Sequence, residues 1–198
     1  MVRKYEMKTR AERQEATRQR IVEAAVELHE EIGPARTSIS AIAERAGVER
    51  LTVYRHFATE QDIFQACSAR FDALHPIPDP ATWVSVADPF ERLSHGLSKL
   101  YGYFAETERM LAAAIRDAPS TPSIQETFAR YQYGFHAMCM VLVDGFIASG
   151  IPAERVQLPI RLAVDFHTWQ IMMREQQMTL PAAVEYQVGI VRWAAIGV

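Results

Sequence analysis

The segment that most constrains the fold is residues 37–57, which read TSISAIAERAGVERLTVYRHF. Ser38 can cap a helix, because its hydroxyl can accept a hydrogen bond from a free backbone N–H of the first turn. Apolar residues then recur with helical spacing as far as Ala46. Gly47 follows, where the helix must end in a left-handed residue. A second helix is predicted over residues 50–57, so this segment should form two short helices around a tight turn.

The second helix has an outer surface suited to DNA, because Val53 and Phe57 should point inward. Arginine can bind guanine or phosphate, hydroxyls can reach phosphates, and Leu or Thr can contact a thymine methyl group. A helix about 10–12 Å across fits the major groove. The predicted DNA-binding residues are Ser38, Ser40, Arg50, Leu51, Thr52, Tyr54, Arg55 and His56. The pattern alone is equally compatible with an ordinary helical hairpin that has a solvated basic face.

Two runs in this segment also resemble a known family. Residues 42–48 (IAERAGV) and 51–57 (LTVYRHF) are similar to the DNA-binding segment of TetR/AcrR-type transcriptional regulators, and the resemblance covers about residues 17–71. It implies an all-helical homodimer with a helix-turn-helix domain and a divergent C-terminal sensor domain. The chain departs from the family pattern at Glu49, where Ser is common, and at Glu60, where Lys is common.

The composition is that of an ordinary globular protein, with 49% apolar and 23% charged residues among 198. The two cysteines, Cys67 and Cys139, are far apart and form no motif, which favours a reducing compartment. No stretch approaches the roughly 18–20 apolar residues of a membrane span. We therefore expect a cytoplasmic protein that does not enter the membrane.

The charge distribution favours nucleic-acid binding more than the net charge of −3 does. Residues 1–57 hold 11 basic and 9 acidic side chains, whereas residues 58–198 hold 10 and 15. Basic charge is therefore concentrated in the part that contains the candidate reading helix.

The pattern along the chain predicts an all-α protein with two domains. Residues 1–74 should form the helix-turn-helix domain, of which residues 1–8 are a flexible arm. The proline-rich stretch at residues 75–83 interrupts the helical periodicity, so a boundary is predicted there. Residues 75–198 show only helical patterns and should form a helical domain for effector binding and dimerisation.

The C-terminal half is rich in aromatic residues and methionine, which line small-molecule sites in helical bundles. The predicted ligand-binding residues are Tyr101, Phe104, Phe128, Tyr131, Phe135, His136, Met138, Phe166, Trp169 and Met173. The alternative is that these side chains simply fill the core.

A dimer is expected, because two reading helices about 34–36 Å apart can bind successive major grooves of a palindrome. The family resemblance implies that the last two helices form a four-helix bundle with the partner's. The predicted interface residues are Ile160, Val164, His167, Ile171, Val184, Val188, Val191 and Ala195. The alternative is that these residues pack only within one chain.

The sequence contains no Gly-x-Ser-x-Gly, His-Glu-x-x-His or Gly-rich phosphate loop, so no enzyme activity, cofactor or metal is expected. The residues and the resemblance together predict a repressor. It would be released from a palindromic operator by a small, largely apolar or aromatic ligand. Two alternatives stay open: a DNA-binding regulator without a small-molecule ligand, and an all-helical carrier or enzyme.

Overall fold

The computed structural model describes residues 2–197, with side chains for residues 10–122 and 124–197. Within residues 2–197 it contains helices and turns but no strand, as the all-α prediction requires. The helices are α1 (Val2–Glu31), α2 (Ile39–Ala46), α3 (Arg50–His56), α4 (Glu60–Leu74), α5 (Pro89–Asp117), α6 (Pro122–Ala148), α7 (Ala153–Val164), α8 (Phe166–Gln170) and α9 (Leu180–Ile196). A π-helical segment, Ile171–Glu175, continues α8.

The predicted flexible arm differs from the structure. Residues 2–8 belong to α1, since no Gly or Pro precedes Gly33 to interrupt the helix. Helix α5 runs unbroken through Thr107, although threonine is a frequent N-cap residue. The Thr107 hydroxyl donates to the Tyr103 carbonyl oxygen at 2.6 Å, so it bonds within the helix and caps nothing.

The chain divides into two compact units, Met1–Pro76 with Arg109–Ala129, and Ile77–Glu108 with Arg130–Val198. This differs from the single boundary predicted after residue 74. The reason is apolar packing, because Ala118 and Ile124 are buried in the hydrophobic core of the first unit. The apolar pattern of residues 75–198 does not reveal that packing, because it shows that Ala118 is buried but not which unit buries it.

The first unit is built on α1, which packs against α2 and α4. Ile21 and Ala25 of α1 are completely buried, as is Val53 of α3. Burying such side chains stabilises a fold by about 1.5–3 kcal/mol for each Val or Ile. The inner face of α3 is thus held in the core, which fixes the direction of its outer face.

The loop that follows α1 is held by a carboxylate from the end of α5. Asp117 accepts a hydrogen bond from the Ala35 backbone N–H at 3.0 Å, and Arg116 Nε donates to it at 2.7 Å. Arg116 also donates to the Ile32 carbonyl oxygen at 3.1 Å. Burial opposes the charge of Asp117, but these hydrogen bonds outweigh burial and hold the pKa of Asp117 below its ordinary value. Gly33 lies in the same loop, with φ 91° and ψ 154°.

A buried histidine and cysteine lie between α1 and α4. His29 Nδ1 lies 3.3 Å from Cys67 Sγ, and the thiol donates to the Phe64 carbonyl oxygen at 3.1 Å. Burial lowers the pKa of His29 to about 4 and raises the pKa of the Cys67 thiol to about 12. At neutral pH both side chains are therefore uncharged, and Cys67 is a small core residue, as its position on the apolar stripe predicted.

The buried His29 predicts a loss of stability in mild acid. Its pKa is near 6.5 in the unfolded chain and about 4 in the folded one, so the unfolded state binds more protons between these pH values. Lowering the pH from 7.5 to 5 should therefore reduce the free energy of unfolding by about 2 kcal/mol through this residue. Urea denaturation of the wild type and of His29→Gln at both pH values measures this loss of unfolding free energy. Equal losses in the two proteins would contradict the assignment.

The second unit contains a helix break that positions its aromatic residues. Asp165 is extended, and its carboxylate accepts the Thr168 N–H at 2.8 Å, so α7 ends and α8 begins there. The break frees the Ala163 carbonyl oxygen from its helical partner. The Tyr101 hydroxyl donates to this oxygen at 2.9 Å, which ties α5 to the end of α7.

Candidate nucleic-acid interface

The turn between α2 and α3 has the geometry that the sequence predicts. The Ser38 hydroxyl accepts the Ala41 N–H at 3.1 Å, so Ser38 is the N-cap of α2. Gly47 ends the helix in the left-handed conformation, with φ 64° and ψ 41°. The Val48 N–H then bonds to the Ala43 carbonyl oxygen at 3.0 Å, which closes the turn. Helix α3 begins three residues after Gly47, as expected.

The outer face of α3 is exposed, while its inner face is buried. Val53 and Phe57 are in the core, as predicted. Leu51 is 58% exposed and Tyr54 is 41% exposed, although both have large apolar surfaces. Of the other predicted DNA-binding residues, Ser38, Ser40, Arg50 and Arg55 are exposed, and Thr52 and His56 are half-buried. The structure thus brings six of the eight together on α3 and places the two serines at the start of α2.

Arg50 and Tyr54 form a pair on this exposed face. An Arg50 guanidinium nitrogen donates to the Tyr54 hydroxyl at 3.1 Å, and the guanidinium carbon lies 5.6 Å from the centre of the ring. The hydrogen bond raises the pKa of Arg50 further above its ordinary value, so the guanidinium is charged at any working pH. Tyr54 therefore restricts the orientation of a positive group that lies near the N-terminus of α3. Their i, i+4 spacing is the sequence signal that could have indicated this pair.

Several contacts fix the helices around α3. Arg45 bridges Glu27 at 3.1 Å and Glu31 at 2.8 Å, which joins α2 to α1. These exposed pairs contribute little individually. Thr59 and Asp62 form a capping box at the start of α4, with hydrogen bonds of 2.9 and 3.1 Å. Such a cap is worth about 1 kcal/mol, and it sets the position at which the chain leaves α3.

Comparison with known proteins shows that the segment with this geometry matches a known family. Residues 21–67 match the family model described as "Bacterial regulatory proteins, tetR family". The chain is 42% identical over 72 residues to the HTH-type transcriptional regulator TtgR of Pseudomonas putida. That match covers 36% of this chain and 32% of TtgR, so the chain matches about a third of this curated relative.

The segment that contains the α2–α3 turn, residues 21–67, therefore matches the TetR family. Two solved structures extend the similarity in fold to nearly the whole chain. The regulator FadR of Bacillus subtilis, solved with stearoyl-CoA, is 19% identical, with a TM-score of 0.59 over 91% of this chain and 98% of that one. A regulator from Saccharomonospora viridis, solved with choline, is 18% identical, with a TM-score of 0.62 over 90% and 96%. At such identities these matches establish the TetR-like fold and no more.

The predicted ligand-binding residues are not all in one unit. Phe128 lies in the first unit, where it packs against the core that contains Ile21 and Val53. The other nine lie in the second unit. Of these, Tyr101, Phe104, Met138, Phe166 and Trp169 are buried; Tyr131, Phe135 and Met173 are half-buried; and His136 is exposed. Phe128 is therefore removed from the candidate ligand site, which the remaining aromatic residues could form.

The predicted dimer-interface residues need a larger correction. Five of the eight are buried within their own unit, namely Ile160, Val164, Val184, Val191 and Ala195. His167 and Ile171 are exposed, and Val188 is half-buried. The prediction selected the apolar stripe by which α7 and α9 pack against each other. A second apolar stripe is exposed on the same two helices, and it consists of Leu158, Leu162, Tyr186, Ile190 and Trp193.

The described part of the chain shows no metal-binding cluster and no helix suited to a membrane. Among its placed side chains, no group of three or more His, Cys, Asp or Glu residues could hold a metal ion. In the same part, His136 and Cys139 have no third residue of that kind with which to hold a metal ion. No described helix is both long and apolar enough to cross a membrane.

Proposed function

We propose that the chain is a homodimeric DNA-binding repressor of the cytoplasm. It would leave a palindromic operator when a small, largely apolar or aromatic ligand binds the second unit. The observation that carries the proposal is the contrast between the two faces of α3. Its inner residues lie in the core, while Arg50, Leu51 and Tyr54 are exposed. Exposing the large apolar side chains of Leu51 and Tyr54 does not stabilise the folded chain by itself. A helix that binds in a DNA groove uses such side chains for contacts.

The chemistry of this face assigns each side chain a role. Arg50 and Leu51, near the N-terminus of α3, would contact base edges, and half-buried Thr52 would contact bases beside them. Tyr54, Arg55 and His56 would bind phosphates, with Ser38 and Ser40 at the adjacent end of α2. TtgR is named as a transcriptional regulator, which supports this reading for the matched residues.

Fluorescence anisotropy with the chain's own upstream DNA tests the proposal. We expect specific binding that weakens steeply as salt is raised, since phosphate contacts release counterions. A shuffled duplex of the same composition is the control. Equal binding to the two duplexes, or no binding at low salt, would contradict the proposal.

The second apolar stripe of α7 and α9 is the proposed dimer interface. Trp193 is 66% exposed and lies on the same face of α9 as Tyr186 and Ile190. A symmetry-related copy would bury its side chain. Two-helix stripes of this kind form four-helix bundles when two copies meet. A dimer is also what two-site DNA reading requires.

Trp193→Asp should disrupt this dimer. An aspartate in a buried apolar interface is desolvated in both copies, so the dimer dissociation constant should rise at least about tenfold. Analytical ultracentrifugation at several protein concentrations measures the change. Tyr133→Asp is the matched control, because Tyr133 is also exposed, at 77%, but lies on α6 and is not part of the stripe. Identical behaviour of the two variants would contradict the proposed interface.

Helix α5 is the proposed route by which ligand binding affects α3. This helix contains residues of both units, and Asp117 at its end holds the loop that leads into α2. A ligand can shift the equilibrium only by its difference in affinity between the DNA-binding form and the other form.

A further inference from the structure

The second unit contains an aromatic cluster centred on Phe104. The Phe104 ring lies 5.3 Å from that of Phe166 and 5.7 Å from that of Trp169, both in edge-on geometry. Phe166 and Trp169 stack on each other at 5.5 Å. Tyr101 and Phe135 complete the cluster, at 6.3 and 5.7 Å from Phe104. Offset stacks and edge-on contacts of this kind are the geometries in which a flat ring binds among other rings.

The indole N–H of Trp169 lacks a hydrogen-bond acceptor among the described residues. The side chain is completely buried, yet its Nε1–H has no acceptor among the described residues. The Tyr101 hydroxyl in the same cluster, by contrast, donates to the Ala163 carbonyl oxygen. A buried donor without a partner costs about 1–3 kcal/mol, so its persistence in a core needs a reason.

The backbone around Trp169 is irregular over a short distance. The helix is broken four residues before it, at Asp165, and becomes π-helical directly after it, over Ile171–Glu175. Gln177 then has a positive φ of 52°, which non-glycine residues rarely adopt. π-helical segments and residues in sparsely populated conformations are concentrated at binding sites, where the surrounding structure offsets their cost.

The charges near the cluster are already paired. The Arg174 guanidinium lies over the Trp169 ring at 5.4 Å and donates to Glu108 at 2.9 Å. The Asp165 carboxylate is engaged as the N-cap of α8. A charged ligand would find no free counter-charge in these groups, whereas a neutral one would need none.

We propose that Trp169 Nε1–H is the hydrogen-bond donor to the effector, which is a neutral, flat, mainly apolar molecule with a carbonyl or ether oxygen. The molecule stacks among Phe104, Phe135 and Phe166, and half-buried Phe135 and Met173 move to admit it. This assignment rests on the proposed function for its biological meaning, because it takes the ligand to be the effector. The contact itself is measured without DNA.

Matched pairs of ligands test the assignment on the wild-type chain. Coumarin is compared with 1,2-dihydronaphthalene, and flavone with 2-phenylnaphthalene, because each pair shares ring size and differs in the acceptor. We expect the oxygen-containing member to bind roughly 3- to 10-fold more tightly, which is the net effect of one hydrogen bond. Dissociation constants come from calorimetry or tryptophan quenching. If neither pair discriminates in the wild type, the assignment is overturned.

Trp169→Phe removes the donor and keeps an aromatic ring. It should abolish the preference within each pair and leave the affinity of the hydrocarbon member within about twofold. Trp83→Phe is the control, since it removes another buried indole of the same unit and should keep the preference. If Trp169→Phe does not fold, the comparison of the two members of each ligand pair on the wild type still tests the assignment. Loss of preference in the control variant would also overturn the assignment.

The outcome separates this inference from the proposed function. If the chain binds its upstream DNA but the ligand pairs do not discriminate, the Trp169 assignment alone fails. If the pairs discriminate through Trp169 but no DNA is bound, the site stands and the repressor proposal fails.

Discussion

Tyr54→Ala is expected to weaken binding to every DNA duplex by about 10- to 100-fold, and most on the operator, where the Arg50 that it orients would contact base edges. Two losses combine: the proposed phosphate contact of the hydroxyl, and the hydrogen bond and ring contact that orient Arg50. Hydrogen bonds to charged groups contribute about 1.5–3 kcal/mol, and 1.4 kcal/mol is a factor of ten. Anisotropy titrations on the operator and on a shuffled duplex measure both effects. Unchanged affinity for the operator would show that α3 is not docked as proposed.

Tyr54→Phe separates the two losses, because it removes the hydroxyl but keeps the ring beneath the Arg50 guanidinium. Its affinity should fall between those of the wild type and Tyr54→Ala. Tyr133→Ala is the surface control, since this exposed tyrosine lies on α6 in the other unit. It should bind DNA like the wild type.

Gly33→Ala is expected to destabilise the first unit more than Gly47→Ala, the other Gly→Ala change in that unit. With φ 91° and ψ 154°, Gly33 occupies a region that is essentially restricted to glycine. A Cβ there would overlap an Arg116 guanidinium nitrogen and lie 2.5 Å from Asp117 Oδ2. Strain alone costs about 1–3 kcal/mol, and displacing the ion pair adds to it. We therefore expect a loss of about 3 kcal/mol or more in urea denaturation.

Gly47→Ala is the matched control for this substitution. Gly47 also has a positive φ, of 64°, but a Cβ there would meet nothing within 4 Å. Its cost should be limited to the left-handed conformation, about 1–2 kcal/mol. If the two variants lose the same stability, the Arg116–Asp117 contact with the loop contributes nothing.

The local structure of the helix-turn-helix segment was predictable because short-range chemistry determines it. Ser38, Gly47 and Val53 each act within a few residues of their own position, as a cap, a helix end and an inward side chain. The fold class followed for the same reason, since helical periodicity is visible in any window. The pairing of Arg50 with Tyr54 is equally local and could have been read from their i, i+4 spacing.

The remaining features depend on contacts between residues distant in sequence. Asp117 lies 82 residues from Ala35, whose N–H it accepts, and no local pattern indicates this bond. Periodicity also could not choose between the two apolar stripes of α9, because Val191 and Trp193 are both apolar and only packing buries the first. The Trp169 N–H, for which the described residues offer no acceptor, is likewise a property of the packed unit and not of its sequence neighbourhood.

A hydroxyl-radical footprint of the wild-type chain on its upstream DNA tests the central claim most directly, with native mass spectrometry of the same complex. The account predicts two chains per duplex and two protected patches about 34–36 Å apart, which Tyr54→Ala weakens together. A single patch, one chain per duplex, or protection that persists unchanged in Tyr54→Ala would contradict it.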